Sequence, residues 1–151
     1  MYTTFKFLHV ASAIVWIGSG VGIVALFGVM YSAGDRATEL AAGPHVEKLG
    51  QRLFGPAAMS TLLFGILAVI ANDSISFNDT WIVIGFGGVA LSLVILALDT
   101  PVTKQIGPAV AEHGPDSEQV DGLLARTRLL NSVTLVLLFI VVWAMVAKPG
   151  A

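Results

Sequence analysis

The residues best suited to chemistry lie near the start of the chain, where a histidine stands in an apolar stretch. His9 is the only basic or acidic residue between Lys6 and Asp35. Ionisable side chains inside a membrane-length apolar segment are costly, so they commonly mark functional sites. An imidazole there can ligate a haem iron, relay protons or bind another metal. It can also serve a purely structural role, by hydrogen bonding to a backbone carbonyl, to water or to a lipid headgroup.

His9 shares one helical stripe with other candidate site residues. Lys6 precedes it by three positions and Trp16 follows it by seven, and both spacings return to the same helix face. Gly20 continues this stripe. These four residues could form a cofactor-binding face, on which His9 would be a chemically reasonable axial ligand for a haem iron. Lys6 has a simpler alternative, which is to extend its ammonium to the lipid headgroups.

Glycines are frequent along the same helix and in two later apolar segments. Gly18, Gly20 and Gly22 leave much of the first helix without side-chain bulk, so a flat ligand can lie beside the imidazole. The spacing of Gly18 and Gly22 is also the small-xxx-small pattern of closely packed membrane helices. The same close packing is expected at glycines in the second and third segments: Gly65, Gly85, Gly87 and Gly88.

A haem iron held by His9 normally needs a second axial ligand or an open coordination position. Met145 is predicted at the same depth in the membrane and could donate its thioether, and Lys6 is another nearby donor. A symmetric pair of chains could instead supply two copies of His9. His45 and His113 are expected on the opposite side of a bilayer core about 30 Å thick, too far away to share the iron.

Composition restricts the chain to the membrane proteins. Of its 151 residues, 56% are hydrophobic and only 12% are charged, about half the charged fraction of soluble domains. The net charge of −2 excludes a basic nucleic-acid binder. The absence of cysteine excludes disulfides, cysteine-ligated iron–sulfur clusters and covalently attached c-type haem. No nucleophile–base or phosphate-loop motif predicts independent catalytic activity.

Four long apolar segments predict an all-α fold, a four-transmembrane-helix antiparallel bundle in one integral membrane domain covering residues 1–151. The first segment is too long for a secretory signal. The predicted spans are residues 5–30, 53–72, 80–99 and 128–147.

The connections between these spans are expected to differ in form. Residues 35–50 are expected to form a surface-lying helix. The fourth helix is expected to begin near Ser117, about three turns before it enters the bilayer. Gly–Pro pairs at 107–108 and 114–115 are expected to interrupt the return from the third span. At the same level, we expect an ion pair between Asp99 and Arg128.

The distribution of basic residues predicts an orientation. Lys6 and Lys148 lie on one side of the predicted bundle, and the other six lie in the first and third connections: Arg36, Lys48, Arg52, Lys104, Arg126 and Arg128. Because basic residues favour cytoplasmic loops, both termini are predicted to be extracytoplasmic. The expected location is the bacterial cytoplasmic (inner) membrane.

The segment Lys6-x-x-His9, followed by Trp16 and a run of small residues, resembles the first helix of a bacterial membrane superfamily. That superfamily includes HemJ-type protoporphyrinogen oxidases, the CopD copper-resistance membrane domain and a four-helix family of predicted integral membrane proteins. The whole chain is most similar to the last of these. In HemJ-type proteins the matching histidine is associated with b-type haem and the matching lysine with activity, so the resemblance implies those roles here. HemJ-type sequences continue into an Arg-containing aromatic stretch that this chain lacks, so porphyrinogen oxidation is not implied.

Together these features predict an integral membrane protein that binds b-type haem through His9 and serves electron transfer or a related redox step. Two alternatives stay open. One is a cofactor-free accessory or structural subunit of a membrane complex, and the other is a transporter of small solutes or metal ions. The expected partners are the lipid bilayer and either further copies of the chain or a larger membrane complex, and not nucleic acid.

Overall fold

The computed structural model describes residues 1–150, which form helices and no strand. A single π-helical turn, Gly50–Phe54, joins the second helix to the third, so that Arg36–Ile70 is one continuous helical segment. Four helical segments are therefore long and apolar enough to cross a membrane, which confirms the predicted all-α architecture with four spans. The helices are α1 (Tyr2–Ser32), α2 (Arg36–Leu49), α3 (Gly55–Ile70), α4 (Thr80–His113) and α5 (Glu118–Ala147).

Successive long helices run in opposite directions, so the molecule has two distinct ends. The turns at residues 33–35 and 114–117 lie at one end, called here the turn end. Both termini and the connection at residues 71–79 lie at the other, called here the termini end. Which of the two ends faces the cytoplasm stays a prediction.

The first hairpin pairs α1 with the continuous segment α2–α3. Gly34 makes the reversal with a φ of 68°, a left-handed conformation that glycine adopts without a steric penalty. Asp35 then caps α2, its side chain accepting a hydrogen bond from the Thr38 backbone N–H at 3.1 Å. Hydrogen bonds from the side chain and backbone of Thr38 hold the pKa of Asp35 below its usual value. The predicted helix at 35–50 exists, but it continues into the second span instead of lying apart from it.

The π-helical turn has a clear cause in the sequence. Pro56 has no N–H, so it cannot donate to the carbonyl of Arg52 in the usual α-helical pattern, and its ring crowds that carbonyl. Widening the helix by one residue just before the proline relieves both problems. Gly50 begins the turn and Gly55 follows it, and neither adds side-chain bulk.

The second hairpin pairs α4 with α5, and both helices exceed the membrane thickness. The 34 residues of α4 extend about 51 Å at 1.5 Å per residue, against a bilayer core of about 30 Å. The expected interruption at residues 107–108 is wrong, since α4 runs through Pro101 and Pro108. The helix ends at Gly114, with φ 85°, and α5 starts after its cap residue, Ser117, as predicted.

The two hairpins meet along α1 and α5 and at both ends of the molecule. A methyl carbon of Leu135 lies 3.9 Å from the position that a Cβ would take on Gly20. At the termini end, a cluster of buried residues joins α3 to α4: Val69, Trp81 and Ile82. At the turn end, a second cluster joins α4 to α5, with Leu40 of α2 packed against it: Ala109, Val120 and Leu124.

Candidate functional site

His9 lies in α1 near the termini end, with its imidazole between α1 and α3. Its Nδ1 is 2.7 Å from the backbone carbonyl oxygen of Thr61, and the residue is half-buried. A carbonyl oxygen can only accept, so Nδ1 carries the proton and donates it. In the neutral ring this assigns the lone pair to Nε2, the nitrogen left to bind a metal or to accept another proton.

Gly65 provides the space in which the imidazole lies. A Cβ built on Gly65 would lie 3.0 Å from Nδ1 and 3.1 Å from Cε1 of His9. These separations are tighter than ordinary van der Waals contact, so even alanine would push the ring. Close packing at Gly65 was predicted, but His9 as its neighbour was not. Thr61, the acceptor residue, is itself fixed by its hydroxyl, which donates to the Ala57 carbonyl at 2.8 Å.

The other members of the predicted stripe surround His9 only in part. Trp16 and Gly20 lie on the same side of α1, and both are half-buried. Gly20 faces α5 through Leu135. Lys6 is exposed, with its Nζ 5.8 Å from the centre of the Tyr2 ring. The stripe is therefore directed into the bundle except at Lys6, which is exposed near the termini end.

Met145, the predicted second ligand, is placed between α5 and α4, whereas His9 lies between α1 and α3. Its side chain packs against the buried cluster that contains Trp81 and Val69. Its terminal methyl fills the space above Gly85. The position of this side chain is that of an apolar core residue.

Of the glycines predicted to form a groove beside the imidazole, only Gly20 lies on the His9 side of α1, and the prediction is wrong for Gly18 and Gly22. Gly18 and Gly22 follow His9 by nine and thirteen positions, which at 100° per residue places them on nearly the opposite face of α1. No other part of residues 1–150 comes within 4 Å of a Cβ built at either position, so they support no close packing inside the described chain either. Close packing is found instead at Gly65, Gly85 and Gly88, and not at Gly87.

A network of charges at the turn end links the two hairpins. Glu39 of α2 is only 3% exposed, and its Oε1 accepts a hydrogen bond from Arg128 Nη1 of α5 at 2.8 Å. The Arg128 guanidinium also lies over the Tyr31 ring, 4.1 Å from its centre. Arg36 lies 3.7 Å from Glu39 and pairs with Asp121 of α5.

This network corrects the predicted pair between Asp99 and Arg128. Arg128 points towards α2 because the buried carboxylate of Glu39 lies there and needs a positive charge close to it. Arg36, at 3.7 Å, is farther from this carboxylate than Arg128 is. Asp99 instead accepts a hydrogen bond from the Asn131 amide at 3.4 Å. The burial of Glu39 was not predicted from the sequence, because the expected helix on the membrane surface would have left its carboxylate in water.

A haem iron needs an axial ligand from the protein, and His9 is the candidate for it. His9 offers one nitrogen in the correct tautomer, held by a backbone carbonyl, which is the usual arrangement for a metal-ligating histidine. His45 is exposed on α2 and His113 ends α4, so both lie towards the turn end, as expected. Residues 1–150 contain no group of three or more acidic or histidine side chains that could hold a metal ion. One chain could therefore supply one axial ligand to a haem iron.

Comparison with known proteins gives one match. The model of a family described as "Predicted integral membrane protein (DUF2269)" matches residues 3–149, almost the whole chain. No curated protein and no solved structure matches.

Proposed function

Since the chain belongs to this family of predicted integral membrane proteins, we propose a function for it from its own residues. The proposal is that it binds b-type haem through Nε2 of His9 and serves electron transfer or a related redox step. The observation that supports it is the hydrogen bond from His9 Nδ1 to the Thr61 carbonyl. That bond fixes the tautomer and the ring orientation that an axial ligand requires.

Each proposed residue has a distinct role. His9 supplies the axial nitrogen, the Thr61 carbonyl orients the imidazole, and Gly65 leaves room for it. Lys6 lies one turn closer to the termini end and is exposed, so its ammonium is available to the carboxylates of a porphyrin. A bound haem would supply one-electron redox chemistry, with a potential set by its axial ligands. The HemJ-type resemblance of the Lys6-x-x-His9 segment supports the same assignment.

A single chain supplies one axial nitrogen, and we assign the second to His9 of another copy. This makes the functional unit a homo-oligomer with an even number of chains, located in the bacterial inner membrane. The experiment is a haemin titration of the purified protein in detergent, followed by absorbance and combined with mass determination of the complex. Saturation at one haem per two chains, lost in His9→Ala and kept in His45→Ala, is the expected result. Binding that survives His9→Ala would refute the proposal.

The same geometry supports a second candidate, a cofactor-free accessory subunit of a membrane complex. The contacts of His9 with Thr61 and Gly65 hold α1 against α3 without any ligand. In addition, α1 contains no buried residue within the described chain, so it offers a long apolar surface to a neighbouring subunit. A colourless protein that co-purifies with stoichiometric partners, and that loses thermal stability in His9→Ala, would favour this function over haem binding.

The proposed orientation is tested separately. A reporter enzyme that is active only outside the cytoplasm, fused after the last residue, is expected to be active. A cytoplasmic reporter at the same position is expected to be inactive. The reverse result would place the turn end, with its charge network, outside the cytoplasm.

A further inference from the structure

A groove runs along the outside of the first hairpin, on the part of α1 and α3 that begins within one turn of His9 and continues towards the turn end. Its volume is about 300 Å³. Its walls are largely apolar, and Arg52 of the π-helical turn lies at one end of it. The other residues that line it are Ala11, Ser12, Val15, Leu53, Pro56, Ala57 and Ser60.

The groove has the dimensions and polarity of an amphiphile site. Arg52 and Ser60 are eight residues apart, which along a helix corresponds to about 12 Å. Small side chains at Ala11 and Ala57 leave space between the two helices. The arginine provides a positive charge next to residue 53, where the second span is predicted to begin, and apolar walls continue from it along α1 and α3. Such a combination fits an acyl chain that ends in a negatively charged headgroup.

Arg52 is exposed, and it forms no ion pair with any residue between 1 and 150. The arginines of the turn end, Arg36 and Arg128, are by contrast both paired with carboxylates. Arg52 lies in the π-helical turn that precedes Pro56, and both residues line the groove.

We propose that this groove binds an anionic membrane lipid, with the phosphate of the headgroup on Arg52 and an acyl chain between α1 and α3. Basic residues at membrane boundaries are attracted to anionic headgroups, and the apolar walls add selectivity for a lipid over a free anion. The groove does not include the His9 imidazole, so the lipid proposal does not depend on haem binding, and it holds whichever leaflet the turn end occupies.

The test is native mass spectrometry of the full chain in neutral detergent. The protein is titrated with phosphatidylglycerol and with phosphatidylcholine of identical acyl chains. The wild type is expected to prefer phosphatidylglycerol, and Arg52→Gln is expected to reduce that affinity about fivefold, the effect of one basic residue near a membrane surface. Arg126→Gln, which removes an exposed arginine of α5, is the matched control and is expected to bind as the wild type does.

A second variant tests the acyl part of the site. Ser60→Leu fills the groove from α3 without changing any charge, and it is expected to weaken phosphatidylglycerol binding while the helix content stays unchanged. Equal binding of the two lipids, or unchanged affinity in Arg52→Gln, would overturn the proposal. Inorganic phosphate that competes fully with phosphatidylglycerol, together with unchanged binding in Ser60→Leu, would also overturn it, since the groove would then hold a free anion.

Discussion

Helices α4 and α5 pack through apolar side chains that enter glycine-lined space, whereas α1 and α3 meet through a polar imidazole. Met145 lies over Gly85 and Val141 over Gly88 in the second hairpin, and eight residues of α4 are buried. In the first hairpin, His9 lies over Gly65, and α1 buries no residue within the described chain. The same device, a glycine opposite a larger side chain, therefore serves stability in one hairpin and holds an ionisable group in the other.

This difference indicates that the two hairpins have different roles. A well-packed pair of helices provides a rigid support, on which a less buried pair can expose groups that bind ligands. Both proposed sites, the imidazole of His9 and the groove at Arg52, lie in the first hairpin. The charge network of Glu39 and Arg128 connects the first hairpin to its support.

The largest effect is expected from Gly88→Leu in the second hairpin. The new side chain would occupy the space of Val141, and overpacking of this kind is expected to lower the free energy of unfolding by about 3 kcal/mol. Gly87→Leu is the matched control, because a Cβ built there has nothing within 4 Å apart from its chain neighbours and the nearby backbone of its own helix. Unfolding in detergent, followed by circular dichroism, measures both variants. Equal losses would show that the glycine packing of this hairpin does not stabilise it.

The next effect concerns the connection between the hairpins. Glu39→Ala leaves Arg128 without its buried partner, and it is expected to cost about 2 kcal/mol of unfolding free energy. In a double-mutant cycle, Glu39→Ala and Arg128→Ala are expected to couple by about 1 kcal/mol. The cycle of Asp99→Ala with Arg128→Ala is expected to be additive. Coupling in the second cycle and not in the first would contradict the observed pairing.

A smaller loss is expected from Gly65→Ala in the first hairpin. The added methyl group would lie against the His9 ring, at an expected cost of about 1 kcal/mol as the helices separate slightly. Gly18→Ala, whose methyl group would meet no part of the described chain, is expected to be neutral or slightly stabilising. The imidazole resonances in NMR spectra are expected to shift in the first variant only. An unshifted imidazole in Gly65→Ala would contradict the contact.

The smallest effect is expected at the N-terminal caps of α2 and α5, which lie in the two turns at the turn end. Asp35 caps α2 with a carboxylate and Ser117 caps α5 with a hydroxyl, so only the first cap depends on pH. Because the folded-state pKa of Asp35 is lowered, its stabilisation is present above the ordinary pKa and is lost as the pH falls through the lowered value. Asp35→Ser is expected to remove this small loss of thermal stability at acidic pH. An unchanged pH dependence would show that the cap does not contribute to it.

The four spans could be predicted from the sequence because charges are nearly absent from them, and charge is what a bilayer excludes most strongly. The extent of the helices beyond the membrane could not be predicted in the same way. Residues 99–128 contain prolines and charged side chains, which are typical of loops, yet α4 continues through Pro101 and Pro108. The cluster of Ala109, Val120 and Leu124 packs α4 against α5 there, and Leu40 of the neighbouring hairpin packs against this cluster, so tertiary packing overrides local preference.

At the candidate site, the sequence predicted the ionisable residue but not its environment. His9 was identified because it stands alone in an apolar helix. Its partners Thr61 and Gly65 are more than 50 positions away, and their register against α1 depends on the turn at residues 33–35 and on the extra residue of the π-helical turn. Glu39 had a local signal, since Arg36 precedes it by three positions, but its burial depends on α5.

The most direct test of the central claim is a reduced-minus-oxidised absorption spectrum of the protein purified from haem-replete cells. The wild type is expected to show the bands of a low-spin b-type haem with two nitrogen ligands. His9→Ala is expected to lose these bands, while His45→Ala retains them. A wild-type protein without haem bands, or a His9→Ala variant with unchanged bands, would contradict the assignment of His9 as the axial ligand.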